Sequence, residues 1–147
     1  MNTGQIEHIL RLRCRGQFLG VYPIDKLPKT LPPKRPLILV CNTDPHDRPG
    51  QHWIVIFIDI HSVGEHFDSF GQRPAKTFQD FMRYHCFKWI CNQRQIQSAA
   101  SRFCGQYCVF YSLYKSIGYN MNAIVKCFSS DTGLNDVMAH SFVCKMF

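Results

Sequence analysis

Apolar residues gather in the middle of the chain at strand spacing and on both flanks at helical spacing. His52-Trp53-Ile54-Val55-Ile56-Phe57-Ile58-Asp59 is β-branched and aromatic almost throughout, which is the composition of a strand. Ile60 to Gly64 supplies a turn. Glu65-His66-Phe67-Asp68-Ser69-Phe70 then reads as the antiparallel partner, ending at Gly71. Upstream, Leu37-Ile38-Leu39-Val40-Cys41-Asn42 is an unbroken apolar run, the pattern of a strand covered on both faces. Phe18 to Pro23 is a further extended segment. The proline-rich residues 23–36 read as a surface loop, and Asn42 to Gln51 as a polar, turn-rich link.

The flanks change period. Ile6, Ile9, Leu10 and Arg13 fall at helical spacing, which predicts a helix over residues 4–13 ended by Gly16. Phe78, Phe81, Met82 and His85 line one face of a second helix over residues 75–88, with Pro74 before it. A third helix starts near Cys104 and stops at Gly118. Residues 122–128 and 134–146 predict two more, with Asp131 or Asn135 as the start signal of the last. Ile96 and its polar neighbours predict a short edge strand. Strands in the middle with most helices after them give an α+β fold with a small, mostly antiparallel sheet, in one domain over residues 1–147.

Composition narrows the function classes. Charge totals +7, yet no run of five or six like charges appears, so a dedicated nucleic-acid tail is not predicted and weak, non-specific DNA attraction is. No apolar stretch reaches the length of a membrane span. The eight cysteines lack the paired Cys-x2-Cys spacing of a structural zinc site, so no metal is expected. The first 20 residues carry charges throughout rather than a signal-type apolar run, so reduced thiols and a protein that is not secreted are expected. Cys41, Cys108 and Cys144 fall inside apolar patterns and read as core.

Cys104 is different because it sits where a polar loop turns into a helix. A thiol there feels the positive end of the helix dipole, which favours thiolate. Gly105 after it leaves room for a substrate backbone. A nucleophilic thiol needs a base. Of the seven histidines, His52 alone opens a strong strand directly after a turn, and the other six read as solvated or partly packed. The base needs an acid to fix its tautomer. Asp68 ends the partner strand, and in a hairpin the start of one strand lies beside the end of the next. An oxyanion needs donors. The Cys104 N–H is one; Gln97, seven residues earlier, is a second, with Gln93, Gln95 and Gln106 competing on residue type. The set His52, Asp68, Gln97, Cys104 is that of papain-like acyl transfer, with Trp53 and Gly105 shaping the cleft.

That order resembles the adenovirus protease (adenain) family, within the larger group of ubiquitin-like-protein proteases. The resemblance runs over roughly residues 18–112. It rests on Phe18-Leu19-Gly20-Val21-Tyr22, Val40-Cys41-Asn42-Thr43, Gly50-Gln51-His52-Trp53, Phe67-Asp68-Ser69-Phe70-Gly71, Gln97, and Cys104-Gly105-Gln106-Tyr107-Cys108. The Phe-Asp-Ser-Phe-Gly block looks most like proteases of Maverick/Polinton elements and adintoviruses. Adenain has Glu where this chain has Asp68, and its segment after the cysteine is longer.

The resemblance implies a monomeric cysteine endopeptidase that cleaves capsid or other virion precursor proteins near glycine. It implies residence in the virion and the host nucleus or cytoplasm. No cofactor is required for the chemistry. Two activators are implied by analogy, DNA and a small viral peptide held by a disulfide, for which Cys86 has the matching spacing before Gln97. Two other readings compete: an isopeptidase acting on ubiquitin-like or SUMO-like conjugates, and a non-catalytic DNA- or protein-binding module on the same fold.

Overall fold

The two strongest apolar runs become the middle of a five-stranded sheet. The computed structural model describes residues 1–50 and 52–147; Gln51, part of one block of the family resemblance, lies outside them. β1 (Phe18–Pro23), β2 (Leu37–Asn42), β3 (Trp53–Ile58), β4 (Val63–Phe67) and β5 (Lys88–Cys91) lie side by side in chain order. β2–β3 and β3–β4 are antiparallel, so the predicted hairpin is present and Val55 faces Phe67. The two outer pairings, β1–β2 and β4–β5, are parallel, which makes the sheet mixed rather than mostly antiparallel. A parallel pair needs a crossover. The proline-rich loop provides the first, and α2 (Lys76–His85) provides the second.

Both faces of the sheet are covered, which is why β2 reads as unbroken apolar sequence: all six of its residues are buried. Ile38, Val40, Val55, Phe57 and Phe67 pack toward α1 (Thr3–Arg13) and α3 (Cys104–Ser116). Leu37, Leu39, Cys41, Ile54, Ile56 and Ile58 pack toward Phe78, Phe81 and Met82 of α2. α4 (Met121–Val125) and α5 (Thr132–Cys144) complete the α3 side. Asn2 and Gln5 form a capping box at the start of α1, and the Asp131 carboxylate caps α5 by accepting from the Leu134 N–H.

Four features differ from the sequence expectation. α2 ends at His85; Cys86 is already extended, and the edge strand is Lys88–Cys91 rather than the neighbourhood of Ile96. Ile96 is buried without belonging to a strand, because its N–H and that of Gln97 both donate to the Ser69 carbonyl, at 2.9 and 3.0 Å. His66, read as solvated or partly packed, is fully packed: it lies against Phe78 of α2 at 2% exposure. Cys144 is exposed rather than core, because α5 turns Asn135, Asp136, Ala139 and Val143 inward and leaves Cys144 beside His140.

A buried charge cluster fixes α3 against β4. Glu65 of β4 accepts from the Tyr111 hydroxyl and from Lys115 Nζ at 3.1 Å. Phe67 stacks on Tyr111 with ring centroids 4.1 Å apart. Cys104 begins α3 and Asp68 follows β4, so this packing sets the spacing between the two.

Candidate active site

His52 stands just before β3, held at a sheet end. Its Nε2 lies 2.7 Å from Asp68 Oδ1, and Cys104 lines the same cleft as the imidazole. With Nε2 committed to the carboxylate, Nδ1 is the ring nitrogen left for sulfur. Both partners are buried, Asp68 at 4% and Cys104 at 8% exposure. Burial works against a charge on His52. The Asp68 hydrogen bond, the contact with Cys104 and the charges of both outweigh it, and His52 rises from 6.5 to about 9. Burial likewise opposes a charge on Cys104. Hydrogen bonds from His52, from the Trp53 N–H and from the Gly105 N–H prevail and pull the thiol below its ordinary range. The two directions, up at His52 and down at Cys104, both favour a thiolate–imidazolium pair.

The start of α3 suits this charge. Phe103 occupies the N-cap position and provides no side-chain acceptor, so the first-turn N–H groups remain open to an anion. Cys108, one turn on, is fully buried, and burial drives its thiol well above the usual range. Cys86 is half-buried, and its thiol is pushed up to about 11 by burial, against thiolate exchange.

Asp68 is not the last residue of a strand. β4 stops at Phe67 and the chain turns: the Asp68 carbonyl accepts from the Gly71 N–H at 2.8 Å, and Oδ1 accepts from the Phe70 N–H at 2.8 Å. Gly71 makes this possible, with φ of +68° and no room for a Cβ, which would lie 2.7 Å from the Arg94 carbonyl carbon. Asn92 clamps the same turn. Its Oδ1 accepts from the Asp68 N–H at 2.9 Å and its Nδ2 donates to the Asp68 carbonyl at 2.7 Å.

The Phe67–Gly71 block therefore acts residue by residue. Phe67 docks α3, Asp68 orients His52, Ser69 holds the Gln97 segment, and Phe70 stacks on the His52 ring with centroids 4.7 Å apart. The sequence reading assigned a role only to Asp68. Phe70, Asn92 and Ser69 went unassigned. A lone Asn after a short strand and a Ser after an Asp carry no pattern of their own.

Gln97 is fully buried and borders the same cleft as Cys104, whereas Gln93, Gln95 and Gln106 do not line it. The Gln97 Nε2 donates to the Ser101 carbonyl at 3.1 Å and to the Ser101 hydroxyl at 3.0 Å. From α5, Asn135 Nδ2 donates to the Ile96 carbonyl at 3.0 Å, and Asp136 accepts from the Ser98 N–H, so the loop carrying Gln97 is fastened from both sides.

The cleft has a volume of about 470 Å³. His52, Trp53, Phe70, Gln97, Ser101, Arg102 and Cys104 are among the residues that line it. Gly105 does not. A Cβ there would meet Met1 at 3.0 Å, and Ile6 and Trp53 at 3.5 Å, so Gly105 lets α1 and Trp53 approach α3 behind the cleft wall instead of admitting substrate.

Three structural likenesses stand beside this geometry. Two crystal structures of ASFV pS273R protease are similar to the chain. The selenomethionine form has a TM-score of 0.54 over 73% of this chain at 24% identity, and the other form 0.66 over 95% at 17%. The chain spans 45% and 66% of those two chains. The central domain of the uncharacterized Lpg1148 protein from Legionella pneumophila is also similar, with a TM-score of 0.57 at 12% identity, over 100% of this chain and 98% of that domain. No protein-family model and no curated protein sequence matches the chain. At these identities the likeness establishes the fold alone, an α+β fold with a central sheet flanked by helices shared with ASFV pS273R protease, in the class expected from the sequence.

Proposed function

We propose that the chain is a cysteine endopeptidase in which Cys104 is the nucleophile, His52 the general base and acid, and Asp68 the residue that orients His52. Gln97 and the Cys104 N–H bind the oxyanion. The observation that carries this reading is the hydrogen bond of His52 to a buried carboxylate in a cleft it shares with a thiol at an uncapped helix start; the upward direction at His52 and the downward one at Cys104 agree with it. The likeness to a viral protease fold supports it.

In this reading the Cys104 thiolate attacks the carbonyl carbon of the scissile peptide, and the carbonyl oxygen takes the negative charge. The Gln97 amide meets that charge by exchanging the Ser101 hydroxyl, which sits on a freely rotating bond, for the oxyanion. The imidazolium of His52 gives its proton to the leaving amine nitrogen, the C–N bond breaks, and a thioester remains. Water then adds to the thioester, losing a proton to neutral His52. The acid departs and the thiolate–imidazolium pair returns.

The substrate class we propose is a viral or virus-like precursor polypeptide cut near glycine, as in the adenain-like proteases of Maverick/Polinton elements. Trp53 beside His52 supports a small residue there, because an indole at the cleft wall leaves little width.

The experiment is a rate comparison on Gly-Gly-X peptides and on ubiquitin-like C-terminal conjugates, with a thiol-directed covalent probe in parallel. Cleavage of the peptides together with His52-dependent labelling of Cys104 is the expected result. Clear preference for the conjugates would replace the maturation reading with an isopeptidase. Labelling of Cys104 that is unchanged in His52→Ala would favour a binding module instead.

A further inference from the structure

We propose that Ser69 is a positioning residue that holds the Gln97 side-chain amide in the single orientation that turns its NH2 group toward Ser101, which lines the cleft with it; this rests on the reading of Gln97 as an oxyanion donor. The Ser69 hydroxyl donates to Gln97 Oε1 at 2.5 Å, and among the described residues no other side chain donates to that oxygen. The far end of the amide faces the Ser101 carbonyl at 3.1 Å. A carbonyl can only accept, so that end must be the nitrogen. A flipped amide would set two acceptor oxygens against each other at Ser101. The carbonyl therefore selects the orientation, and Ser69 supplies the tether that resists rotation away from it.

Ser69 is 1% exposed and Gln97 0%, so neither group has water as an alternative. The Ser69 carbonyl also takes the N–H groups of Ile96 and Gln97, which fastens backbone and side chain to one residue. Because Ser69 follows Asp68, one dipeptide orients both the imidazole and the amide. The base and the oxyanion donor are thereby tied to adjacent residues of one turn.

The test is a double-mutant cycle with Ser69→Ala, Gln97→Ala and the pair, read as kcat and KM on one peptide substrate. The unaltered protein and Ser69→Ala are also examined by ¹⁵N-resolved NMR of the Gln97 side-chain NH2. The expected result is a loss in kcat of roughly tenfold for Ser69→Ala with KM little changed, and no further loss when Gln97 is already Ala. The NH2 protons should pass from a rigid, well-separated pair to a mobile one. Ser69→Cys, close in size but a weak donor, should fall between Ser and Ala, and it serves in place of Ser69→Ala should that variant not fold. Equal losses from Ser69→Ala with and without Gln97 would overturn the proposal, since Ser69 would then act on the fold generally. Retention of full activity and a rigid NH2 in Ser69→Ala would overturn it as well. Loss of NH2 rigidity with activity indifferent to Gln97→Ala would keep the positioning role and remove the oxyanion reading.

Discussion

Replacing Asp68 by Asn isolates the charge that holds the His52 proton. Asn keeps the size of the side chain and can still accept from Nε2, but the bond is no longer charge-assisted. His52 stands at about 9 against an ordinary 6.5, with burial opposing the charge and Asp68 the first group to favour it. That rise corresponds to roughly 3 kcal/mol in favour of imidazolium. The difference between a charged and a neutral hydrogen bond is on the order of 1–1.5 kcal/mol, or about one pH unit.

The sign follows from the pair. Activity needs thiolate and imidazolium together, so kcat/KM rises as the thiol ionises and falls as the imidazolium loses its proton near 9. In Asp68→Asn the alkaline limb should move down by about one unit, and the acid limb should move up as sulfur loses stabilisation. At pH 8.5 this alone lowers the imidazolium fraction about threefold, on top of any pH-independent loss. The assay is kcat/KM from pH 5 to 10, with the pH dependence of iodoacetamide alkylation of Cys104 beside it. The exposed thiols Cys127 and Cys144 are first changed to Ser so that they do not contribute. An alkaline limb that stays near 9 in Asp68→Asn would refute the assignment of Asp68 as the orienting acid.

Two further outcomes follow from packing. Gly71→Ala meets backbone atoms of Gln93 and Arg94 at 2.7–2.9 Å and also carries left-handed strain of about 1–2 kcal/mol. It should cost at least tenfold in kcat/KM, whereas Gly118→Ala, at φ +102° with nothing within 4 Å, carries the strain alone. Equal activity of the two variants would show that the turn after Asp68 does not set the site. Glu65→Leu leaves Lys115, 8% exposed, without its carboxylate and should lower stability by on the order of 3–5 kcal/mol in urea unfolding. Adding Lys115→Met should restore most of the loss; no recovery in the double variant would mean that the ion pair is not what fastens α3.

The pairing of His52 with Asp68 was legible because strands have period two. Once Trp53–Ile58 and the segment through Phe67 are strands joined by a turn near residues 60–63, their outer ends must meet, and Val55 opposite Phe67 is that register. The core followed from the same periodicities. Three things were not legible. Buried polar clamps such as Asn92 and Ser69 act through one or two hydrogen bonds, and nothing in residue type separates them from solvated ones. Ile96 looked like a strand because it is apolar, yet its N–H goes to a turn carbonyl that only the tertiary fold brings near. The end of α2 was overrun because helical spacing continues past His85, while Cys86 adopts the extended backbone that leads into β5.

The two halves of the site differ in how the chain brings them together. His52 and Asp68 are 16 residues apart and joined by a tight hairpin, whereas Cys104 reaches them only when α3 settles on the sheet. The imidazole and carboxylate are thus a local product of β3 and β4, and the sulfur is a long-range addition, costlier in chain entropy to close. A chain in which α3 has lifted away keeps an oriented histidine but returns Cys104 to the chemistry of an ordinary thiol. Nucleophilicity at this sulfur is therefore a gauge of native assembly: in a nascent or partly unfolded chain the thiol stands apart from its imidazole, and the reagent rate at Cys104 reads out the docking equilibrium of a single helix.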